Sequence, residues 1–190
     1  MEKLIVISWC SWVGKNTVWE YLEPKMNDIV SKVVTCTTRP KRQWETDWKE
    51  YYFMSEKKFN DDVKNGEIFE WTITHNIFYW SSVKWLETAV KSNKIPLYII
   101  DVKWLDNMKS ILKGKYEILS IFITPPSFEI LEQRIRLRGS ETEKSIETRL
   151  NTAKEELKHL DSYRFEVKNY DYESCWDQIE KIIRDWASGL

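Results

Sequence analysis

The apolar positions of this chain gather into short continuous runs, separated by polar stretches with helical spacing. Leu4-Ile5-Val6-Ile7, Ile95 to Val102 and Ile118 to Ile123 show no polar alternation. That is the pattern of parallel strands covered on both faces. Residues 33–38 are rich in β-branched side chains and read as a strand, Tyr51-Tyr52-Phe53 and Phe165-Glu166-Val167 as two more, and Ile68 to Phe78 as strand-rich. Helices are predicted between them. The first covers Asn16 to Leu22, with Pro24 marking its end. A second covers Ser55 to Asn65, with Ser55 as N-cap and Gly66 just past the end. Others cover Ser82 to Ser92, Leu105 to Leu112, Ser127 to Arg138, Thr142 to Leu160 and Tyr172 to Trp186.

Strands that alternate with helices predict an α/β fold, a mainly parallel sheet with helices on both faces. Residues 36–81 break the alternation and read as an inserted, strand-rich subdomain. No repeat or low-complexity segment interrupts the rest.

Composition narrows the partners. With 190 residues the chain has material for one domain with a sizeable core, and its net charge of -1 argues against a general nucleic-acid binder. No apolar run is long enough to cross a membrane. The N-terminus carries no secretory pattern. Cys10, Cys36 and Cys175 are scattered and form neither a metal spacing nor a disulfide framework, so a reducing cytoplasm is the expected setting. One feature is unusual: 11 Trp against 5 Gly. Average usage gives roughly 13 Gly in a chain of this length.

Candidate chemistry begins after the first strand, at Trp9-Cys10-Ser11-Trp12-Val13-Gly14-Lys15-Asn16-Thr17. Gly14-Lys15 and the placement between strand and helix fit the phosphate-loop pattern G-x-x-x-x-G-K-S/T, in which backbone N–H groups and a helix N-terminus hold phosphate oxygens. Trp9 stands where the first glycine belongs, Asn16 where the hydroxyl belongs, and Thr17 comes one residue late. Taken alone, an ordinary helix N-terminus with a surface lysine explains Gly14-Lys15 as well as a phosphate loop does.

Wider motifs decide. The segment Thr37-Thr38-Arg39-Pro40-Lys41-Arg42-Gln43-Trp44-Glu45 through Trp48, Tyr51 and Phe53 keeps every element of T-T-R-x-x-R-x-G-E-x-x-G-x-x-Y-x-F except the two glycines. Glu70-Trp71 precede Tyr79-Trp80-Ser81, against E-W and N-x-Y-G-S/T. Ile99-Ile100-Asp101-Val102-Lys103-Trp104 stand against D-x-D-x-Q-G, with Asp101 as the matching residue, and Arg134 to Thr142 with Arg149 follow an arginine-rich lid motif. Together these residues resemble the guanylate kinase family over nearly the whole chain.

The resemblance implies a P-loop NTPase-type parallel sheet with helices on both faces, plus an inserted strand-rich GMP-binding subdomain and a helical lid. It divides a single domain into a core (1–35, 82–126 and 156–190), a GMP-binding insertion (36–81) and a lid (127–155). It implies ATP as donor, GMP as acceptor (dGMP alongside), and Mg2+ on the ATP phosphates, with Asn16 or Thr17 as candidate protein ligands. Lys15, Arg39, Arg138 and Arg149 are the implied catalytic residues. Residues 9–17 with Arg134, Arg138 and Asn169 are implied for ATP. Thr35, Arg39, Arg42, Tyr51, Glu70, Tyr79, Ser81 and Asp101 are implied for GMP. Guanidinium forks suit the acceptor phosphate, and the Glu70 carboxylate suits the donor edge of guanine. Each residue singly has a bland alternative: a solvated arginine, an ordinary strand side chain. His75 and His159 read as structural or surface. A monomer or homodimer without membrane or nucleic-acid partners is expected.

Six departures share one form. Trp9, Trp12, Trp44, Trp48, Trp80 and Trp104 occupy family glycine positions. UGA differs from the glycine codon GGA by one base, and a translation table that reads UGA as Trp would print this pattern for a gene that reads it as Gly. Cys10, Ile99 and Lys103 are separate departures; Ile99 removes a carboxylate near the metal. If the tryptophans are real, a non-catalytic guanylate-kinase-like module that binds phosphopeptides or proteins is the alternative, against which Lys15, Arg138 and Arg149 weigh.

Overall fold

A computed structural model of the chain describes residues 1–10, 15–74, 77–137 and 142–189, the side chains of 15–17 and 74 excepted. A five-stranded parallel sheet is built from β1 (Glu2–Trp9), β2 (Val30–Lys32), β7 (Ile95–Ile99), β8 (Tyr116–Thr124) and β9 (Phe165–Lys168), in the order β2-β7-β1-β8-β9. A second, four-stranded sheet is built from β3 (Cys36–Thr37), β4 (Tyr52–Phe53), β5 (Ile68–Thr74) and β6 (Ile77–Ser82), in the order β4-β3-β6-β5. Its β3–β6 and β5–β6 pairs are antiparallel.

The uninterrupted apolar run of β1 is explained by its two covered faces. Ile5 and Ile7 join one core cluster with α1 (Lys15–Met26), α5 (Phe128–Leu137), α6 (Glu143–Leu157) and α7 (Tyr172–Ser188). Leu4 and Val6 join another with α3 (Val83–Lys91) and α4 (Trp104–Ile111). Successive side chains point to opposite faces, and both faces meet helices. A smaller cluster of Cys36, Phe59 and Trp80 lies under α2 (Glu56–Lys64) in the second unit. There Ser55 caps the helix by accepting from the Lys58 N–H, and Gly66 leaves it at φ 69°.

Four expected elements are corrected. Pro24 does not end the first helix, which continues to Met26, with the Asn27 N–H on the Glu23 carbonyl at 3.1 Å. Proline removes one ladder bond there, and the full burial of Met26 favours the extra turn. Residues 33–38 are not one strand. The chain leaves the parallel sheet after Lys32 and enters the second sheet at Cys36; Val33 N–H bonds to Leu97 O and Thr35 O accepts from Tyr52 N–H, both at 2.9 Å. The strand expected to reach Val102 ends at Ile99, and the helix expected to reach Leu160 ends at Leu157, before a 3-10 turn at Leu160–Ser162.

Candidate active site

In open parallel sheets ligands gather outside the carboxyl ends of the strands. Those ends here carry Trp9 (β1), Ile99 to Asp101 (β7), Thr124 (β8) and Asn169 (after β9). On the phosphate-loop side Trp9 is half-buried against the core, and Cys10 is fully buried, its N–H on Ile123 O at 2.9 Å and its thiol 3.8 Å from Ala153 O. Burial, with the Glu156 carboxylate adding to it, pushes the Cys10 thiol far up, so this cysteine is a packing residue. Ser11, Trp12, Val13, Gly14 and Arg138 lie outside the described residues, as do the side chains of Lys15, Asn16 and Thr17 and the whole of His75. Asn169 is buried, with its N–H on Thr124 O at 2.8 Å. Arg134 ties α5 to this loop by donating to the Asn169 and Tyr170 carbonyls, both at 2.9 Å. Arg149 on α6 donates to Ser145 Oγ at 3.2 Å.

On the other side, the second sheet presents one face to the end of β7. The register opposes Glu70 to Ser81 and Thr72 to Tyr79, after a bulge between Ile68 and Glu70. Thr35, Tyr51, Tyr79 and Asp101 border one cavity of about 140 Å³ with Thr72, Ile99 and Trp104. A second cavity of about 180 Å³ shares Thr35, Tyr51 and Ile99 with it and adds Lys32, Trp44, Glu45 and Lys49. The Tyr51 and Tyr79 rings meet edge-on at 5.8 Å. Asp101 accepts from the Lys103 N–H at 3.1 Å.

Arg39 and Arg42 sit on the loop between the strands, and Glu45 ties them together. Its Oε1 accepts from the Arg39 guanidinium at 2.5 Å and its Oε2 from the Arg42 backbone N–H at 2.8 Å. Burial works to raise the Glu45 pKa, but the Arg39 guanidinium and the Arg42 N–H outweigh it and hold the carboxyl below its ordinary value. Arg39 also lies 5.6 Å from the Tyr51 ring centre and Arg42 5.7 Å from that of Trp44. The Thr37 hydroxyl accepts from the Arg39 N–H at 3.1 Å, which fixes where the loop leaves the sheet.

Glu70 is the other buried carboxylate, 4% exposed. Its environment is the reverse of that around Glu45. Burial raises its pKa, and among the described residues the relief comes from the Asn107 side chain on α4, whose Nδ2 donates to Oε1 at 3.1 Å. Ser81 beside it is buried, and its hydroxyl has no partner among the described residues.

The amino-acid sequence matches the guanylate kinase family profile over residues 1–186. The chain belongs to the guanylate kinase family. Through that family it is placed among the nucleoside monophosphate kinases. It is 37% identical over 186 residues to the guanylate kinase of Mesomycoplasma hyopneumoniae (strain 7448), covering 96% of this chain and 94% of that protein. Helicobacter pylori (strain ATCC 700392 / 26695) has a guanylate kinase 35% identical over 182 residues, covering 95% and 86%. The crystal structure of guanylate kinase from Anaplasma phagocytophilum superposes with a TM-score of 0.77 at 30% identity, covering 98% of this chain and 86% of that one. The SH3-kinase fragment of tight junction protein 3 shares the fold alone, at a TM-score of 0.51 and 10% identity over 57% of its length.

Set against this family pattern, the sequence assigned no role to three residues that the structure places at the site. Thr72 follows Glu70 by two on the same strand, so period-2 alternation was the signal for it. Glu45 stood inside a matched motif without a function. Asn107 carried no local signal, because its contact with Glu70 spans 37 positions. Among the described residues no group of His, Cys, Asp or Glu could by itself hold a metal ion. A magnesium ion carried by nucleotide phosphates needs few protein ligands. Asp101 is a hard oxygen donor at the site suited to that ion's water shell, whereas Ile99 presents hydrocarbon there.

No helix among the described residues is long and apolar enough to cross a membrane.

Proposed function

We propose that this chain catalyses transfer of the γ-phosphoryl group of ATP to GMP, with dGMP as a further acceptor, in the cytoplasm. The observation that carries the reading is the buried Glu70 carboxylate, facing Ser81 across β5 and β6 on the sheet whose Thr72 and Tyr79 border the cavity. An acceptor-only group meets the N1–H and N2–H2 donors of guanine and repels the acceptor edge of adenine. Arg39 and Arg42, drawn together by Glu45, bind the acceptor phosphate, with Tyr51 and Tyr79 as further donors. That phosphate is already an anionic nucleophile, so the step needs positioning and charge stabilisation more than a base. Residues 9–17 and Asn169 hold ATP. Lys15, Arg138 and Arg149, with Arg134 behind them, stabilise charge spreading over the transferring group. Magnesium bound by the ATP phosphates supplies further neutralisation. Insertion 36–81 and lid 127–155 close on the two substrates.

A coupled ADP-release assay with GMP, dGMP, AMP and UMP tests this. Turnover with GMP and dGMP alone is expected. Equal turnover with AMP refutes the guanine assignment, and no turnover with any acceptor favours the phosphopeptide-binding reading.

The tryptophans at family glycine positions bear on that assay, and the native residue at these six positions is inferred to be glycine. Support comes from Trp48, which holds φ 67° on a bulky side chain 64% exposed. Such a backbone favours glycine. The Trp80 indole N–H is also buried without a partner among the described residues. Trp80 and Trp104 are otherwise well packed in apolar clusters, so position 48 carries the argument. UGG codons in the gene, or a native mass with all six tryptophans, would sink it.

A further inference from the structure

Two glutamates are buried at the acceptor site, and only one has a cation. Glu45 has Arg39 at 2.5 Å. Glu70 makes no ion pair among the described residues, and its one protein donor is the Asn107 amide at 3.1 Å. An ionised carboxylate only accepts, so the amide turns its NH2 toward Glu70. Asn107 is itself solvent-exposed, on the first turns of α4, while the carboxylate it holds is not. The bulge after Ile68 sets Glu70 opposite Ser81, and α4 supplies the fixed point from the other side.

We propose that Asn107 is a positioning residue for guanine recognition: its amide pins the Glu70 carboxylate through Oε1 and leaves Oε2, with the second lone pair of Oε1, for the base. The inference rests on the GMP reading above and deepens it. Without the amide, burial acts on Glu70 unopposed, so the group that must be ionised to accept from guanine protonates at higher pH. The other titratable groups on the surrounding elements make no hydrogen bond or ion pair to Glu70 among the described residues. On α4, Asp106 lies 3.7 Å from His159 and Lys109 donates to Ser162 O. At the end of β7, Asp101 accepts from Lys103 N–H, while the Lys103 side chain is exposed. Tyr98 on β7 is buried, Tyr79 on β6 meets Tyr51, and Glu67 at the start of β5 pairs with Lys58. None of them substitutes for the amide.

The test is calorimetric binding of GMP and AMP over a pH series that runs from acid to neutral, because burial raises the Glu70 pKa and the Asn107 amide opposes it. It requires no phosphoryl transfer and so does not depend on residues 9–17. The variants are Asn107→Leu, which removes the donor at similar size, and Asn107→Gln, which restores one on a longer arm. Asn107→Leu is expected to bind GMP about tenfold more weakly near neutral pH, the loss of one hydrogen bond to a charged group. Its affinity should fall away at higher pH than that of the parent, and Asn107→Gln should recover much of the loss. Parental affinity and pH profile in Asn107→Leu overturn the inference. So does an equal loss in both variants with no shift along the pH axis, which marks a merely structural residue. Thermal melts check folding, and Asn107→Ser, which shortens the side chain, repeats the comparison if leucine is not tolerated. A parent protein that binds no GMP refutes the substrate reading instead, before any variant is compared.

Discussion

Position 48 offers a test of backbone conformation that can be separated from every other role of a tryptophan. Replacing it removes the ring, and the ring's remaining contacts are hard to weigh against strain. The informative comparison is therefore between Trp48→Gly and Trp48→Ala, which both remove the ring and differ by one methyl group. At φ 67° a Cβ crowds the following carbonyl oxygen, at a cost of about 1–2 kcal/mol. Glycine has more freedom to lose on folding, which costs it about 0.5–1 kcal/mol relative to alanine. The balance favours glycine by about 0.5–1 kcal/mol, or about 1–4 °C in Tm for a chain of this size. Thermal denaturation followed by circular dichroism measures it. Trp44, exposed on the same loop without a positive φ, is the control, and there alanine should equal or exceed glycine. Trp48→Ala melting at or above Trp48→Gly would refute the argument and remove the main structural support for glycine at this site.

The two buried glutamates predict opposite responses to charge removal. For Glu45 the folded pKa lies below the unfolded one, so its contribution is present above the unfolded value and is lost as pH falls through the folded one. Glu45→Gln should thus lower Tm at neutral pH, by about 4–12 °C if breaking the part-buried pair with Arg39 costs about 2–3 kcal/mol, and the gap should close in acid; a gap independent of pH contradicts the ion-pair account. For Glu70 the folded pKa is raised, so its contribution is present below the unfolded value and is lost as pH rises through the folded one. Glu70→Gln should therefore raise Tm at neutral pH, converge with the parent in acid, and bind GMP about tenfold to a hundredfold more weakly; a variant that is destabilised or keeps full GMP affinity contradicts it.

Opposite signs for two carboxylates of similar burial show what a sequence can and cannot carry. Both glutamates are legible as motif positions, because their types and spacing are fixed relative to nearby residues. The parallel sheet is legible for a related reason: a strand covered on both faces leaves an unbroken apolar run, as Leu4 to Ile7 does. What decides the chemistry of each glutamate is its partner. The partner of Glu45 is six residues away in its own loop, while that of Glu70 reaches it from α4. A contact of the second kind leaves no periodicity, cap or turn signal, so Asn107 is invisible until α4 and β5 are packed together. The misplaced strand at 33–38 has the same origin, since β-branched residues fit a pleated surface without saying which sheet supplies it. The chain there crosses from the five-stranded parallel sheet to the four-stranded sheet, with Thr35 between the two. The end of β7 lies against the second sheet, so that Asp101, just past β7, and Tyr79 on β6 border one cavity. On the proposed reading, guanine recognition by Glu70 is thus a tertiary property: the motif supplies the carboxylate, and α4 packed on β5 supplies the Asn107 amide that holds it.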